Sequence, residues 1–163
     1  MSLSKVFTAI ITIGCLSLAG CGFQLQGVGE FPESLATTYI DTADRYTIVY
    51  RELLAELERG GVEVVDSPVA ASSIIRMEKD DSGQRVLTVS GRNVPTEYDV
   101  YYDLAYSVWS DGAEVLPSQE LTLNQSYTYD PTTVLGKNRE EQKIRESLGL
   151  NLVRQVVRQL SLL

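Results

Sequence analysis

The side chains that commonly carry enzyme chemistry are unevenly represented in this sequence. Its 163 residues include 22 Asp and Glu and two Cys, but no His. The lack of His excludes Ser-His-Asp and Cys-His nucleophile pairs and zinc sites with a His ligand. The adjacent acids Asp80 and Asp81 lack the ligand spacing of a calcium loop, and no spacing singles out two other carboxylates for acid–base catalysis. We therefore predict a protein that is not an enzyme and that holds no metal or cofactor.

Cys21 is the residue whose surroundings point most directly to a chemical reaction. Lys5 precedes an uncharged run, residues 6–18, whose 13 residues are fewer than the roughly 20 needed for a membrane-spanning helix. A cation, a short apolar core and then small residues are typical of a secretory signal. The sequence Leu18-Ala19-Gly20-Cys21 resembles the lipobox of bacterial lipoproteins. This resemblance implies cleavage before Cys21, which then carries a thioether-linked diacylglycerol and an amide-linked acyl chain.

The predicted cleavage divides the chain into three parts. Residues 1–20 are the signal peptide, residues 21–36 the acylated N-terminus and tether, and residues 37–163 a single domain. Several acyl chains together anchor a protein stably in a membrane. Gly22 follows Cys21, whereas Asp at this position favours the inner membrane, so the resemblance implies an outer-membrane lipoprotein with its body in the periplasm. The net charge of −8 argues against a nucleic-acid partner, which would need a basic surface.

The apolar pattern of the chain predicts an α+β fold: a two-layer sandwich of a mostly antiparallel or mixed sheet with two helices on one face. The clearest strand covers residues 97–109, which alternate between apolar and polar side chains with period 2. Asp111-Gly112 predicts a tight turn into a return strand over residues 119–129, with an edge or irregular segment at Pro117. Helices are expected over residues 44–58 and 138–160, and further strands over residues 37–41, 62–65, 72–78 and 84–91, the last two joined by a hairpin turn at 80–83.

The segment before the last helix, residues 123–137, reads Leu-Asn-Gln-Ser-Tyr-Thr-Tyr-Asp-Pro-Thr-Thr-Val-Leu-Gly-Lys. It resembles the LptE family of lipopolysaccharide-assembly lipoproteins, in which Ser-Tyr-x-Tyr-Asp-Pro ends a strand and Val-Leu-x-Lys leads into a helix with an acidic start. The N-terminal sequence Cys21-Gly22-Phe23-Gln24-Leu25 and the pair Glu97-Tyr98 are similar to the family as well. The chain departs from the family at Gln24, Gln26 and Asn151, where His, a basic residue and an acidic residue are common.

The resemblance implies a role without catalysis, in which the protein fills the LptD outer-membrane barrel, helps it assemble and binds lipopolysaccharide. Arg92 and Lys137, at one end of the expected sheet, are the predicted lipopolysaccharide-binding residues, since cationic side chains form charge-assisted hydrogen bonds with phosphate. Tyr101 and Trp109, on the outer face of the long strand, are predicted to contact the barrel wall. Two alternatives stay open: a lipoprotein that only scaffolds or chaperones a barrel, and an anchored periplasmic enzyme of the cell envelope.

Overall fold

The computed structural model describes residues 31–129 and 134–163, and for residues 134–138 the description is confined to the backbone. Cys21, the signal peptide and most of the tether therefore lie outside the described residues. Within the described ranges, no helix combines the length and the apolar character needed to cross a bilayer. The elements are β1 (Thr37–Asp41), α1 (Ile48–Arg59), β2 (Glu63–Val64), β3 (Ser73–Val89), β4 (Pro95–Ser110), β5 (Ala113–Thr128) and α2 (Val134–Leu160), with short 3-10 turns at Glu33–Leu35 and Pro68–Ala70.

The strands form one mixed sheet in the order β2-β1-β3-β4-β5. β1 runs parallel to both of its neighbours. Helix α1 carries the chain back to the starting edge before β2, and the segment that contains the Pro68–Ala70 turn carries it back again before β3. β3, β4 and β5 are three long antiparallel strands joined by tight turns. The predicted α+β class with a mixed sheet is confirmed.

Both helices pack against the same face of the sheet. On β4, Val100, Tyr102, Leu104, Tyr106 and Val108 are each no more than 2% exposed. They form one apolar cluster with side chains of both helices, which bury the i, i+4 pattern that the sequence shows. The intervening β4 residues point to the opposite face, which no helix covers within the described part of the chain.

The predicted hairpin at residues 80–83 is wrong, because β3 runs through this segment as one strand. Gly83 pairs with Tyr101 of β4. A Cβ atom at Gly83 would lie 2.7 Å from the Tyr101 hydroxyl oxygen, so the glycine permits close approach rather than a turn. The chain reverses instead at residues 90–94, where Asn93 has a φ of 59° and Ser90 and Val94 are hydrogen-bonded.

The remaining element boundaries differ from the predictions by several residues. α1 begins at Ile48 rather than residue 44, since the Thr47 hydroxyl accepts the Tyr50 backbone N–H and caps the helix. α2 begins at Val134, four residues before the predicted start. The turn at Asp111-Gly112 is confirmed, with φ of 51° and 79°. β5 begins at Ala113 and contains Pro117, which an edge strand tolerates because its outer N–H groups need no partner.

Candidate functional site

The face of the sheet opposite the helices is built around a buried carboxylate. We call this surface the uncovered face; it consists of the odd-numbered residues of β4 from 97 to 109 and their neighbours in β3 and β5. The Asp99 side chain is 3% exposed. Its Oδ2 accepts hydrogen bonds from Arg85 Nε at 3.0 Å and from a terminal Arg85 nitrogen at 2.7 Å, and its Oδ1 accepts one from Asn124 Nδ2 at 3.0 Å. The charge of Asp99 is thus neutralised within the sheet.

Two further carboxylates on the uncovered face are also bound by neighbouring strands. Asp103 accepts hydrogen bonds from Lys79 at 2.8 Å and Thr122 at 2.7 Å, and the pKa of Asp103 is lowered by these two donors. Glu78 accepts hydrogen bonds from Ser118 and Ser107, which lower the pKa of Glu78. Because these acids are ionised and already hydrogen-bonded, the uncovered face is a polar surface that satisfies its own charges.

Tyr101 and Trp109 both lie on the uncovered face, as their odd positions in β4 predict. Each is half-buried and lies beneath a guanidinium group. Arg85 Cζ is 5.9 Å from the Tyr101 ring centroid, and Arg76 Cζ is 5.7 Å from that of Trp109. The Trp109 Nε1–H is buried without a hydrogen-bond partner among the described residues. Contact of either ring with a barrel stays a prediction.

Arg92 lies in the turn between β3 and β4, where its side chain is exposed. It forms no ion pair with any residue in the described ranges. Lys137 lies within the first turn of α2, rather than in the loop before the helix as predicted, because α2 begins earlier. Its side chain lies outside the described residues.

The β3–β4 turn and the start of α2 belong to the same end of the sheet. Glu97 at the start of β4 pairs with Thr128, the last residue of β5. The Tyr129 backbone N–H then donates to the Thr96 carbonyl at 2.8 Å, which places the exit of β5 beside the entry to β4. Three tyrosines reinforce this end: Tyr98 stacks on Tyr127 with ring centroids 5.9 Å apart and meets Tyr129 edge-on at 5.2 Å.

Sequence reasoning missed an apolar surface beside Arg92. Val86, Leu87, Val89 and Val94 are 42–53% exposed at the end of the β3–β4 hairpin. Apolar residues occupy both faces of the strand here, whereas a half-buried strand usually alternates apolar and polar side chains. This lack of alternation is visible in the sequence and could have revealed the surface. Arg92 therefore stands at the tip of an apolar hairpin.

On the helix-covered face, Asp80 and Tyr102 form a second polar pair that the sequence did not reveal. The Tyr102 hydroxyl donates to Asp80 Oδ1 at 2.8 Å, while Asp80 Oδ2 is buried without a partner among the described residues. Burial raises the pKa of Asp80 above its ordinary value, and it raises the pKa of Tyr102 as well. Within the described ranges, no group of three or more Asp, Glu, Cys or His side chains is arranged to hold a metal ion.

A mixed five-stranded sheet with both helices on one face is also the fold of small bacterial lipoproteins of known structure. The chain is similar to lipoprotein B from Nitrosomonas europaea, with a TM-score of 0.70 and 24% identity, covering 86% of this chain and 90% of that one. It is also similar to the rare lipoprotein B from Shewanella oneidensis, with a TM-score of 0.65 and 19% identity, covering 77% and 93% of the two chains.

Sequence comparison identifies the family. The model of the family described as LptE, Lipopolysaccharide-assembly, matches residues 35–160, so the chain belongs to the LptE family. Among curated proteins, it is 24% identical over 157 residues to the LPS-assembly lipoprotein LptE of Pectobacterium atrosepticum, covering 96% of this chain and 85% of the relative. It is also 24% identical to that of Yersinia pestis strain Pestoides F, with 96% and 75% covered.

Proposed function

We propose that this protein is an outer-membrane lipoprotein that fills the lumen of the LptD barrel, helps the barrel to assemble and binds lipopolysaccharide during its export. The match of the LptE family over residues 35–160 carries this proposal. The role of the family in lipopolysaccharide assembly is not enzymatic. Acyl chains on Cys21 anchor the protein to the inner leaflet of the outer membrane, and no other cofactor is needed.

The uncovered face supports the barrel-filling role. The interior of a large outer-membrane barrel is polar, so its occupant needs a surface without a large apolar patch. Asp99 and Asp103 are already paired within the sheet, so this face can be enclosed without leaving their charges unsatisfied. Tyr101 and Trp109 add large aromatic rings, which are enriched at protein interfaces.

The end of the sheet that carries Arg92 supports the binding of lipopolysaccharide. The phosphates of lipopolysaccharide call for cationic side chains, and a guanidinium group can bind a phosphate through two hydrogen bonds. Arg92 is exposed and has no ion pair in the described ranges, so its donors are available. Lys137 follows at the start of α2, on the same end of the sheet.

Co-purification of the full-length acylated protein from outer membranes tests the barrel partner. We expect LptD to be recovered in about equimolar amount, and the double substitution Tyr101→Ala, Trp109→Ala to reduce its recovery. Tyr46→Ala is the matched control, because this ring is 88% exposed and lies outside the sheet. Recovery of the protein without a barrel contradicts the proposal, and undiminished recovery of LptD with the double variant shows that Tyr101 and Trp109 are not the contact.

Binding of purified lipopolysaccharide tests the second part. The charge reversal Arg92→Glu, Lys137→Glu is expected to weaken binding by about tenfold or more, since it replaces two attractive contacts with repulsive ones. Arg51→Glu, Arg59→Glu is the control, because it makes the same change in net charge at exposed positions on α1. A folded variant that binds as well as the wild type shows that Arg92 and Lys137 are not the site, whereas a wild-type protein that does not bind lipopolysaccharide favours a scaffold role.

A further inference from the structure

A groove runs between α2 and the edge strand β5, on the helix-covered side of the domain. It consists of two hollows of about 780 and 560 Å³ that share Gln125 in their linings. Arg139 and Lys143 line the first hollow, and Arg154 and Arg158 line the second. We call the whole feature the α2–β5 groove.

The charge of the groove differs from that of the rest of the domain. Among the residues in its two linings, Glu140 is the single acid, although the chain carries a net charge of −8. Arg76, Lys79 and Arg85, on the uncovered face, are all ion-paired. By contrast, none of the four groove cations forms an ion pair with a described residue, and all four side chains are exposed. Their donors are therefore directed to solvent or to a ligand.

The uncharged lining of the second hollow is rich in amides. Asn151 and Gln155 of α2 lie on the same helix face as Arg154 and Arg158, and Gln125 of β5 lies across from them. Amide side chains both donate and accept hydrogen bonds, which suits sugar hydroxyls, and arginine suits phosphate or carboxylate groups. Leu123, which is half-buried, supplies apolar contact area for the C–H surface of a sugar ring.

We propose that the α2–β5 groove binds the phosphorylated carbohydrate of lipopolysaccharide, at a site separate from Arg92. Arg154 and Arg158 are one helical turn apart, about 6 Å, and hold one anionic group together. Arg139 and Lys143 lie about 22 Å away from them along the helix and hold a second. The groove thus matches an elongated saccharide with several negative charges. This inference rests on the proposed function, which supplies the ligand.

The direct test uses the full-length acylated protein in detergent and a deacylated lipopolysaccharide carbohydrate that keeps its phosphates. We expect measurable binding by calorimetry, and a loss of about tenfold or more for Arg154→Glu, Arg158→Glu. Arg154→Gln, Arg158→Gln removes the charges without reversal and is expected to lose less. Arg51→Glu, Arg59→Glu, which also alters a cation in the last turn of a helix, is expected to bind within about twofold of the wild type. Enzymatic removal of the phosphates is expected to weaken binding by the wild type to a similar extent.

The outcomes separate this site from the proposed function. If whole lipopolysaccharide binds and the deacylated carbohydrate does not, the groove inference is wrong and the proposed function stands. If the carbohydrate binds through Arg154 and Arg158 and whole lipopolysaccharide does not bind, the groove is a binding site and the proposed function is wrong. Equal weakening by the Arg51, Arg59 control shows non-specific attraction and overturns the groove site. Binding of an acidic peptide such as polyglutamate in place of the carbohydrate, lost in the Arg154, Arg158 variants, also overturns it in favour of a protein partner.

Discussion

Arg85 and Asp99 face each other in register across β3 and β4, and two nitrogens of Arg85 donate to the same oxygen of Asp99. The two ends of this ion pair differ in environment, since the arginine side chain is 64% exposed and the aspartate side chain 3%. The aspartate therefore depends on its partners, whereas the arginine can be hydrated without it. Because of this asymmetry, the buried carboxylate of Asp99 helps to hold β3 and β4 in register while Arg85 is present to pair with it.

The asymmetry predicts that Arg85→Ala destabilises the protein more than the removal of an exposed ion pair does. Without Arg85, the buried Asp99 carboxylate keeps one hydrogen bond, from Asn124, and the free energy of unfolding is expected to fall by about 1–3 kcal/mol. Lys79→Ala is the control on the same strand, because Lys79 is half-exposed and its loss is expected to change stability little. Chemical denaturation measures both. Equal effects would show that the burial of Asp99 is not decisive.

Asp80 predicts a pH-dependent stability. Burial is the main cause of the raised pKa of Asp80; the charges of Asp44 and Asp81 add to it, and the hydroxyls of Thr47 and Tyr102 oppose it. A carboxyl with a raised folded-state pKa binds its proton more tightly in the folded protein, so it reduces stability once the pH is above that pKa. Asp80→Asn is therefore expected to raise the melting temperature at pH 7.

This gain is expected to shrink as the pH falls through the raised pKa of Asp80, and to vanish below about pH 3, where the carboxyl is protonated in both states. Asp81→Asn is the neighbouring control, because Asp81 is exposed. Melting curves of the two variants at pH 7 and pH 3.5 make the comparison. A gain for Asp80→Asn that is the same at both pH values contradicts the assignment.

The close packing around Gly149 predicts that Gly149→Ala destabilises the protein, the opposite of what helix propensity alone predicts. Replacing a helix glycine with alanine ordinarily stabilises the helix by about 1 kcal/mol. Here a Cβ atom would lie 2.7 Å from Ile48 Cγ2 and 3.3 Å from Tyr102 Cε2, where α2 passes over the start of α1. Gly149→Ala is expected to lower the melting temperature, because the cost of overpacking exceeds the gain in propensity.

A double-mutant cycle checks the cause of this effect. Ile48→Ala removes the Cγ2 atom in closest contact with the new methyl group, so Gly149→Ala should be less destabilising in the Ile48→Ala background. Additive effects of the two substitutions would place the source of the destabilisation elsewhere.

The sequence predicted the elements whose pattern is local and missed those that depend on packing. The alternation along β4 and the apolar stripe of α2 each report a single buried face, and both elements are present. The residues from Asp80 to Gly83 have the composition of a turn. The register with β4 keeps them in a strand, because Asp80 bonds Tyr102 and Gly83 admits the Tyr101 ring. Tertiary pairing overrides local propensity in such cases.

The candidate site was predictable to a similar degree. Arg92 was recognisable as an isolated cation in an acidic chain, and the structure places it in the β3–β4 turn. The pairing of Asp99 with Arg85 and Asn124 was not predictable, because these residues come from three strands and meet only in the correct register. The α2–β5 groove was hidden for the same reason, since it forms between two elements and belongs to neither.

Leu87 predicts how the exposed end of β3 behaves in solution. β1 pairs with β3 only as far as Arg76, so in the described part of the chain no strand pairs with this side of β3 near Leu87. An exposed apolar edge strand is a template for pairing with another chain, and a lysine on such an edge suppresses that pairing. Leu87→Lys is expected to reduce self-association at high concentration without changing the melting temperature, because Leu87 is 53% exposed and lies outside the core cluster.

Val69→Lys is the control, since Val69 is 94% exposed in the Pro68–Ala70 turn and presents no strand edge. Sedimentation velocity measures both variants, and an equal reduction by Val69→Lys would assign the effect to net charge rather than to the edge of β3.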